Sequence, residues 1–223
     1  MRSKQAIAPI VLADLSTQAG IELLMQWLSN PNVVGIFLAP PCGSASRARS
    51  IPVKRKRPGD PEPPRPLRSN QYPNGLPFLC FVDRLKISKA NKLYHLTAKL
   101  IQWAVEEDCL FVVENPQFSF FWQTSFIQAV VGLMDFTVFQ SCQYGSSRPK
   151  RTMLGFNAEE FRCLNKMCPG VSNTHKHEQW GLSPSTNQFA TAMETAYPFK
   201  LAKSIALQFV LALKRRGIQM PPE

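Results

Sequence analysis

No stretch of the 223 residues approaches the ~18 consecutive apolar residues of a membrane-spanning helix, so none of it reads as one. Residues Met1 to Gln5 lead into a short apolar segment broken by Pro9 and Asp14, a poor match to a signal peptide. Acidic residues are scarce: 15 against 26 Lys and Arg, for a formal charge of +11. An excess of this sign favours an anionic partner such as nucleic acid. The plainer alternative is charge for solubility, but the basic residues are unevenly placed. There is no internal repeat. The six cysteines, at 42, 80, 109, 142, 163 and 168, require no oxidising compartment, so the expected location is intracellular, and nuclear in a eukaryotic cell. Cys80 and Cys109 lie in apolar surroundings and are expected to be buried free thiols. With 44% hydrophobic residues, the chain can build one cored domain over residues 1–223.

Residues 9–15 read as a short buried strand with an acid, Asp14, at its end. Residues 17–29 place Ile21, Leu24, Met25 and Leu28 at the spacing of an amphipathic helix. The apolar run 33–39 then reads as a second strand, and strand, helix, strand is the unit of a parallel sheet. Residues 83–107 predict a helix burying Leu93, Leu96, Leu100, Ile101, Trp103 and Ala104. A strand over 109–113 follows and stops at Glu114-Asn115-Pro116, ahead of the aromatic cluster Phe118, Phe120, Phe121 and Trp122. A further helix is expected over 124–134 and a strand over 136–140. Tyr197-Pro198 opens a long helix over 196–216, with Leu201, Ile205, Phe209, Val210 and Leu213 on one face and Lys214-Arg215-Arg216 at its end. This alternation predicts an open, mostly parallel α/β sheet whose ligands lie at the carboxyl ends of its strands.

Chemistry concentrates at two of those ends. The strand 33–39 stops at Pro40-Pro41, and Cys42 follows at once. A thiol attacks as its thiolate, so Arg47, Arg49 and a helix start after Gly43 are expected to lower its pKa. Glu114 can hold a proton or bond a base edge, and Asn115 can hold local backbone in place. A lone strand-end cysteine is more often structural; the order and shared context of the two ends set this pair apart. A thiol hydrolase would need a histidine beside Cys42, but His95 falls within a helix. Segment 50–77 is basic and rich in proline, and is expected to be a mobile loop. From Arg47 to Arg68 there are eight Lys/Arg and two acids, a net of +6. Arg47, Arg49, Lys54, Arg55, Lys56 and Arg57 are thus placed to grip phosphates. The alternative is a linker or nuclear-localisation stretch.

In this order the residues resemble the cytosine-5 DNA methyltransferases. The matching features are Pro41-Cys42, the basic loop 50–77, Glu114-Asn115, and the run from Gln143-Tyr144-Gly145 to Arg148-Pro149-Lys150-Arg151. The segment Phe189 to Pro198 is similar to that of phage- and retroelement-type relatives, and the resemblance covers roughly residues 9–215. It implies a Rossmann-like, S-adenosylmethionine-dependent methyltransferase fold. It also implies that Cys42 adds to carbon 6 of an extruded cytosine in DNA while Glu114 contacts the ring nitrogen and exocyclic amine. Arg148 and Arg151 would then bind the flipped nucleotide's backbone or brace the pocket. Asp14, Pro40 and Pro41 would lie on the cofactor side. The family's Gly-rich Phe-x-Gly-x-Gly-Gly turn is missing, Pro116 replaces its valine, and Arg-Pro-Lys-Arg replaces Gln-Arg-x-Arg. The sheet is therefore expected to be incomplete at its N-terminus, with an upstream segment or partner completing the cofactor site. The competing expectation is a methyltransferase-like module, or a fragment, that binds DNA without chemistry.

Residues 160–181 form a candidate zinc-binding insertion. Cys163, Cys168, His175 and His177 bring two cysteines and two of the chain's three histidines together in a stretch with little apolar content. The alternative is a surface loop with incidental thiols.

Overall fold

A computed structural model of the protein describes residues 12–52, 61–183, 188–194 and 196–218. The chain divides into two units, residues 1–33 and 34–223. In the first, α1 (Gln18–Leu28) forms where the apolar spacing predicts it. Thr17 caps it, its Oγ1 accepting from the Gly20 amide at 3.2 Å. Residues 12–15 of the strand expected over 9–15 are not in a strand, and 9–11 lie outside the described residues. Asp14 closes a turn instead, its Oδ1 accepting from the Ser16 amide (3.0 Å) and hydroxyl (2.7 Å).

The second unit runs β1 (Gly35–Leu38), α2 (Phe81–Glu106), β2 (Leu110–Pro116), α3 (Ser125–Gln128), β3 (Asp135–Gln140), β4 (Arg151–Phe156), α4 (Ala190–Met193) and α5 (Phe199–Arg215). Its four strands lie in the order β1-β2-β4-β3. β1 and β2 are parallel, whereas β4 runs antiparallel to both β2 and β3. The class is α/β, but the sheet is mixed, not mostly parallel as expected. The reason is β4, which the sequence reading passed over as part of a basic motif. The connection before it, residues 141–150, is shorter than the dozen or so residues a parallel crossover needs, so the chain turns back.

Side chains alternate across β2, and both faces are covered. Phe111 and Val113 join Tyr94, Ile101 and Ala104 of α2 and Phe121, Trp122 and Ile127 in one core. Leu110 and Val112 join Phe139, Leu154, Phe156, Phe161 and the α5 residues Leu201, Ile205 and Leu213 in the other. A strand buried on both sides reads as the unbroken apolar run seen in Leu110–Val113. Each large side chain so buried contributes about 1.5–3 kcal/mol relative to exposure.

Several local expectations change. The helix over 124–134 is α3 followed by a 3-10 turn, Val131–Leu133. Pro198 is the N-cap of α5, outside the helix. Within the loop expected to be mobile, 53–60 lie outside the described residues, but Leu67 and Arg68 are 1% and 2% exposed. Arg68 donates to the Pro73 carbonyl (2.7 Å) and the Ser44 hydroxyl (3.1 Å), so the loop's second half is anchored. All six cysteines are free; Cys109 is buried as expected, but Cys80 is exposed, its thiol donating to Asp83 Oδ2 at 3.3 Å. Among the described residues no helix is long and apolar enough to cross a membrane.

Candidate functional site

Because β1 and β2 are parallel and β4 opposes them, the carboxyl ends of the first two and the amino end of the third share one sheet edge. Cys42 lies four residues past the end of β1, Glu114 and Asn115 lie near the carboxyl end of β2, and Lys150 immediately precedes β4. The Cys42 turn is pinned through carbonyl groups, since prolines offer no N–H. Asn115 Nδ2 donates to the Pro40 carbonyl at 3.0 Å, and the Tyr94 hydroxyl donates to the Pro41 carbonyl at 2.7 Å. The Ala45 amide closes on the Cys42 carbonyl at 2.9 Å. The expected helix after Gly43 is replaced by this turn and a 3-10 turn, Arg47–Ser50.

Period-two alternation puts Glu114 and Asn115 on opposite faces. Glu114, 7% exposed, points to the α5 side, where the Tyr197 hydroxyl donates to its Oε2 at 2.9 Å. Its Oε1 has no hydrogen-bond partner among the described residues; Lys150 Nζ, 3.9 Å away, acts on it by charge alone. Burial raises the Glu114 pKa, while the Lys150 cation and the Tyr197 hydrogen bond oppose the rise. Asn115 Oδ1 is likewise buried without a partner.

Burial also raises the Cys42 pKa, with Lys150 pulling it down, Glu114 pushing it up and a backbone hydrogen bond pulling it down. The expected lowering by Arg47 and Arg49 does not occur. Arg47 donates to the Phe118 carbonyl (2.8 Å) and Asn70 Oδ1 (2.7 Å) and lies over the Phe120 ring. Arg49 is partly desolvated and feels Asp83 and Arg65, its own pKa lowered by burial. Lys54, Arg55, Lys56 and Arg57 lie outside the described residues.

Arg148 is buried inside the protein. It pairs with Glu178 (2.6 Å) and Glu194 (3.1 Å) and donates from Nε to the Gln179 carbonyl (3.1 Å). Arg151 is exposed, its guanidinium 6.0 Å from the Phe118 ring centre. Asp14 belongs to the first unit and its carboxylate is engaged in its own turn.

Of the expected metal ligands, Cys168, His175 and His177 converge, but Cys163 is exposed in the 3-10 turn Glu159–Leu164. Its place is taken by Cys142, whose sulfur lies with the other three ligand atoms inside a 4.8 Å group. Sequence reasoning missed Cys142, and also Tyr94, Lys150 and Tyr197 at the sheet edge. The available signal for Cys142 was its position just past a strand end, like that of Cys42. For Tyr197 it was the Tyr-Pro entry to a long helix. The chain matches no protein-family model, no curated protein and no solved structure.

Proposed function

We propose that this chain transfers a methyl group from S-adenosylmethionine to carbon 5 of cytosine in DNA, with Cys42 as nucleophile and Glu114 as its carboxyl partner. The observation that carries this reading is the meeting of thiol, buried carboxyl and ammonium at one sheet edge, close enough that Lys150 and Glu114 both act on Cys42. Addition of the Cys42 sulfur to carbon 6 would place electron density on carbon 5, which would take the methyl group as S-adenosylhomocysteine leaves; a base would then take the carbon 5 proton as the sulfur departs as thiolate, restoring the ring. Glu114, with its pKa raised, can hold the proton that makes the ring nitrogen electron-withdrawing. Its free Oε1 suits the exocyclic amine of the base. Asn115 Oδ1, a second buried free acceptor, suits a ligand carrying donors, such as the amino group of the cofactor. The cofactor supplies an electrophilic methyl group. The carbonyls of Pro40 and Pro41 already accept from Asn115 and Tyr94, so these prolines shape the edge and do not present free acceptors. Arg148, held between two carboxylates, braces the pocket.

The test is incorporation of labelled methyl from S-adenosylmethionine into DNA by the wild type and by Cys42→Ser. Incorporation by the wild type alone is expected. Equal incorporation by both removes Cys42 from the chemistry, and DNA binding with no incorporation by either supports the competing reading of a methyltransferase-like DNA-binding module.

A further inference from the structure

We propose that Cys142, Cys168, His175 and His177 form a closed tetrahedral zinc site that fixes the segment 165–181 against the end of β3. The four ligand atoms all lie within 4.8 Å of one another. Cys168 Sγ is 3.2 Å from His175 Nε2 and 3.6 Å from His177 Nε2, and the two Nε2 atoms are 2.9 Å apart. Zinc bonds of about 2.3 Å to sulfur and 2.0–2.1 Å to nitrogen give tetrahedral edges of roughly 3.3–3.8 Å. The group is therefore near the required size: a central ion would part the two imidazoles by a few tenths of an ångström and draw in the most widely spaced ligand atoms, now within 4.8 Å of one another. Two thiolates and two imidazoles without a carboxylate are a donor set suited to zinc.

A second, independent observation marks Cys168 as a ligand. The Gly170 amide donates to its sulfur at 3.3 Å, the kind of outer contact that stabilises a bound thiolate. Gly170 reaches that position with φ of +109°, which an L-residue rarely adopts. Backbone bonds hold the cluster from both sides. The Gln140 amide donates to the Lys166 carbonyl (2.9 Å), the Cys168 amide donates to Gln140 Oε1 (3.0 Å), and a Ser172–His175 turn sets the first histidine.

The segment needs such a cross-link. After Leu164 its large apolar side chains, Met167, Val171 and Trp180, are 43%, 71% and 48% exposed, so no hydrophobic anchor sets its course. Yet it delivers Glu178 and the Gln179 carbonyl to Arg148. Cys142 itself lies in the 3-10 turn Ser141–Tyr144, which leads into Arg148 and Lys150. A metal at this point joins the two pieces of chain that together position the basic side of the sheet edge.

The test is metal content of the purified full-length protein after zinc loading and removal of excess ion, together with cobalt substitution. The expected result is about one zinc per chain, and a cobalt spectrum with thiolate-to-metal charge transfer and intense tetrahedral bands. Cys142→Ser and His177→Ala should each lower retained zinc at least tenfold, while Cys163→Ser retains the full equivalent. Less than a tenth of an equivalent in the wild type, or loss in Cys163→Ser with retention in Cys142→Ser, overturns the proposal. Should Cys142→Ser not fold, the cobalt spectrum of Cys163→Ser decides: an unchanged spectrum supports Cys142 as the second thiolate, and halved charge-transfer intensity overturns it. None of these readouts depends on methyl transfer, so the site and the enzymatic reading stand or fall separately.

Discussion

Tyr197, the residue before the cap of α5, donates its hydroxyl to Glu114 Oε2 at the end of β2, across 2.9 Å. The bond joins residues 83 positions apart, and the tyrosine ring also meets Phe37 of β1 edge-on, with centroids 5.9 Å apart. Tyr197→Phe keeps the ring contact and removes the donor. An intramolecular hydrogen bond contributes about 0.5–1.5 kcal/mol net, so a destabilisation of that order is expected by urea unfolding.

The same carboxyl sets a pH dependence. Burial raises the folded-state pKa of Glu114 above its ordinary 4.5, so the folded protein binds that proton more tightly than the unfolded chain does. Its contribution to stability is fully present below pH 4.5 and is lost as pH rises through the folded-state value. Glu114→Gln has no such loss, so its stability relative to the wild type should rise across that window. Urea midpoints measured from pH 4 to 8 check this; a constant difference between the two proteins would mean the pKa is not raised.

Cys42 offers a second test of the edge. Its thiol is raised by burial and pulled back chiefly by Lys150. Lys150→Met should raise it further and slow alkylation by iodoacetamide at pH 8 severalfold, because the rate follows the thiolate fraction. Arg47→Ala should change the rate little, since that guanidinium is turned to Phe118 and Asn70. Both are best measured with the exposed Cys80 and Cys163 replaced by serine and the label mapped by peptide, since Cys168 is half-buried like Cys42.

The sequence made the apolar elements legible: α1, α2, β1, β3 and α5 form close to where periodicity puts them. It did not reveal β4, because Arg151-Thr152-Met153 carries no strong alternation and its basic neighbours drew the eye to phosphate binding. Without β4 the sheet looks parallel; with it, Lys150 arrives at the thiol's edge. Cys42 and Glu114 were readable because each follows an apolar run, buried in β2 but only half-buried in β1. The metal group was three-quarters readable, since Cys168, His175 and His177 lie close in sequence. Cys142 was hidden because only the chain's return after β3 brings it there.

The two arginines of the basic motif should separate cleanly. Arg148 is buried and pairs with Glu194, itself largely buried, so Arg148→Ala leaves a desolvated carboxylate without its cation. A loss of about 2–4 kcal/mol is expected, most of it from Glu194, because Glu178 is more than half exposed and screened by solvent. Arg151→Ala should cost under about 0.5 kcal/mol by the same urea assay, as its exposed side chain meets the Phe118 ring at 6.0 Å, while its carbonyl bond from the Gln117 amide survives the change. If Arg151→Ala also weakens DNA binding and flattens its salt dependence while the fold holds, Arg151 is the phosphate contact and Arg148 the brace.

Arg68 tests whether the basic segment is a free arm or part of the scaffold. Its guanidinium is enclosed, 2% exposed, 5.1 Å from the Tyr94 ring centre, and bonded to Ser44 and the Pro73 carbonyl. Ser44 is two residues from Cys42, and Tyr94 holds the Pro41 carbonyl, so both contacts bear on the Cys42 turn. Arg68→Met keeps the aliphatic stem and removes the two hydrogen bonds, for an expected cost of about 2–3 kcal/mol and a lower thermal midpoint. Because the Cys42 turn loses a support, its alkylation should also speed up as burial is relieved. A free, solvated arm predicts neither change, so a variant with wild-type stability and wild-type labelling would return residues 61–77 to the mobile loop that their composition first suggests.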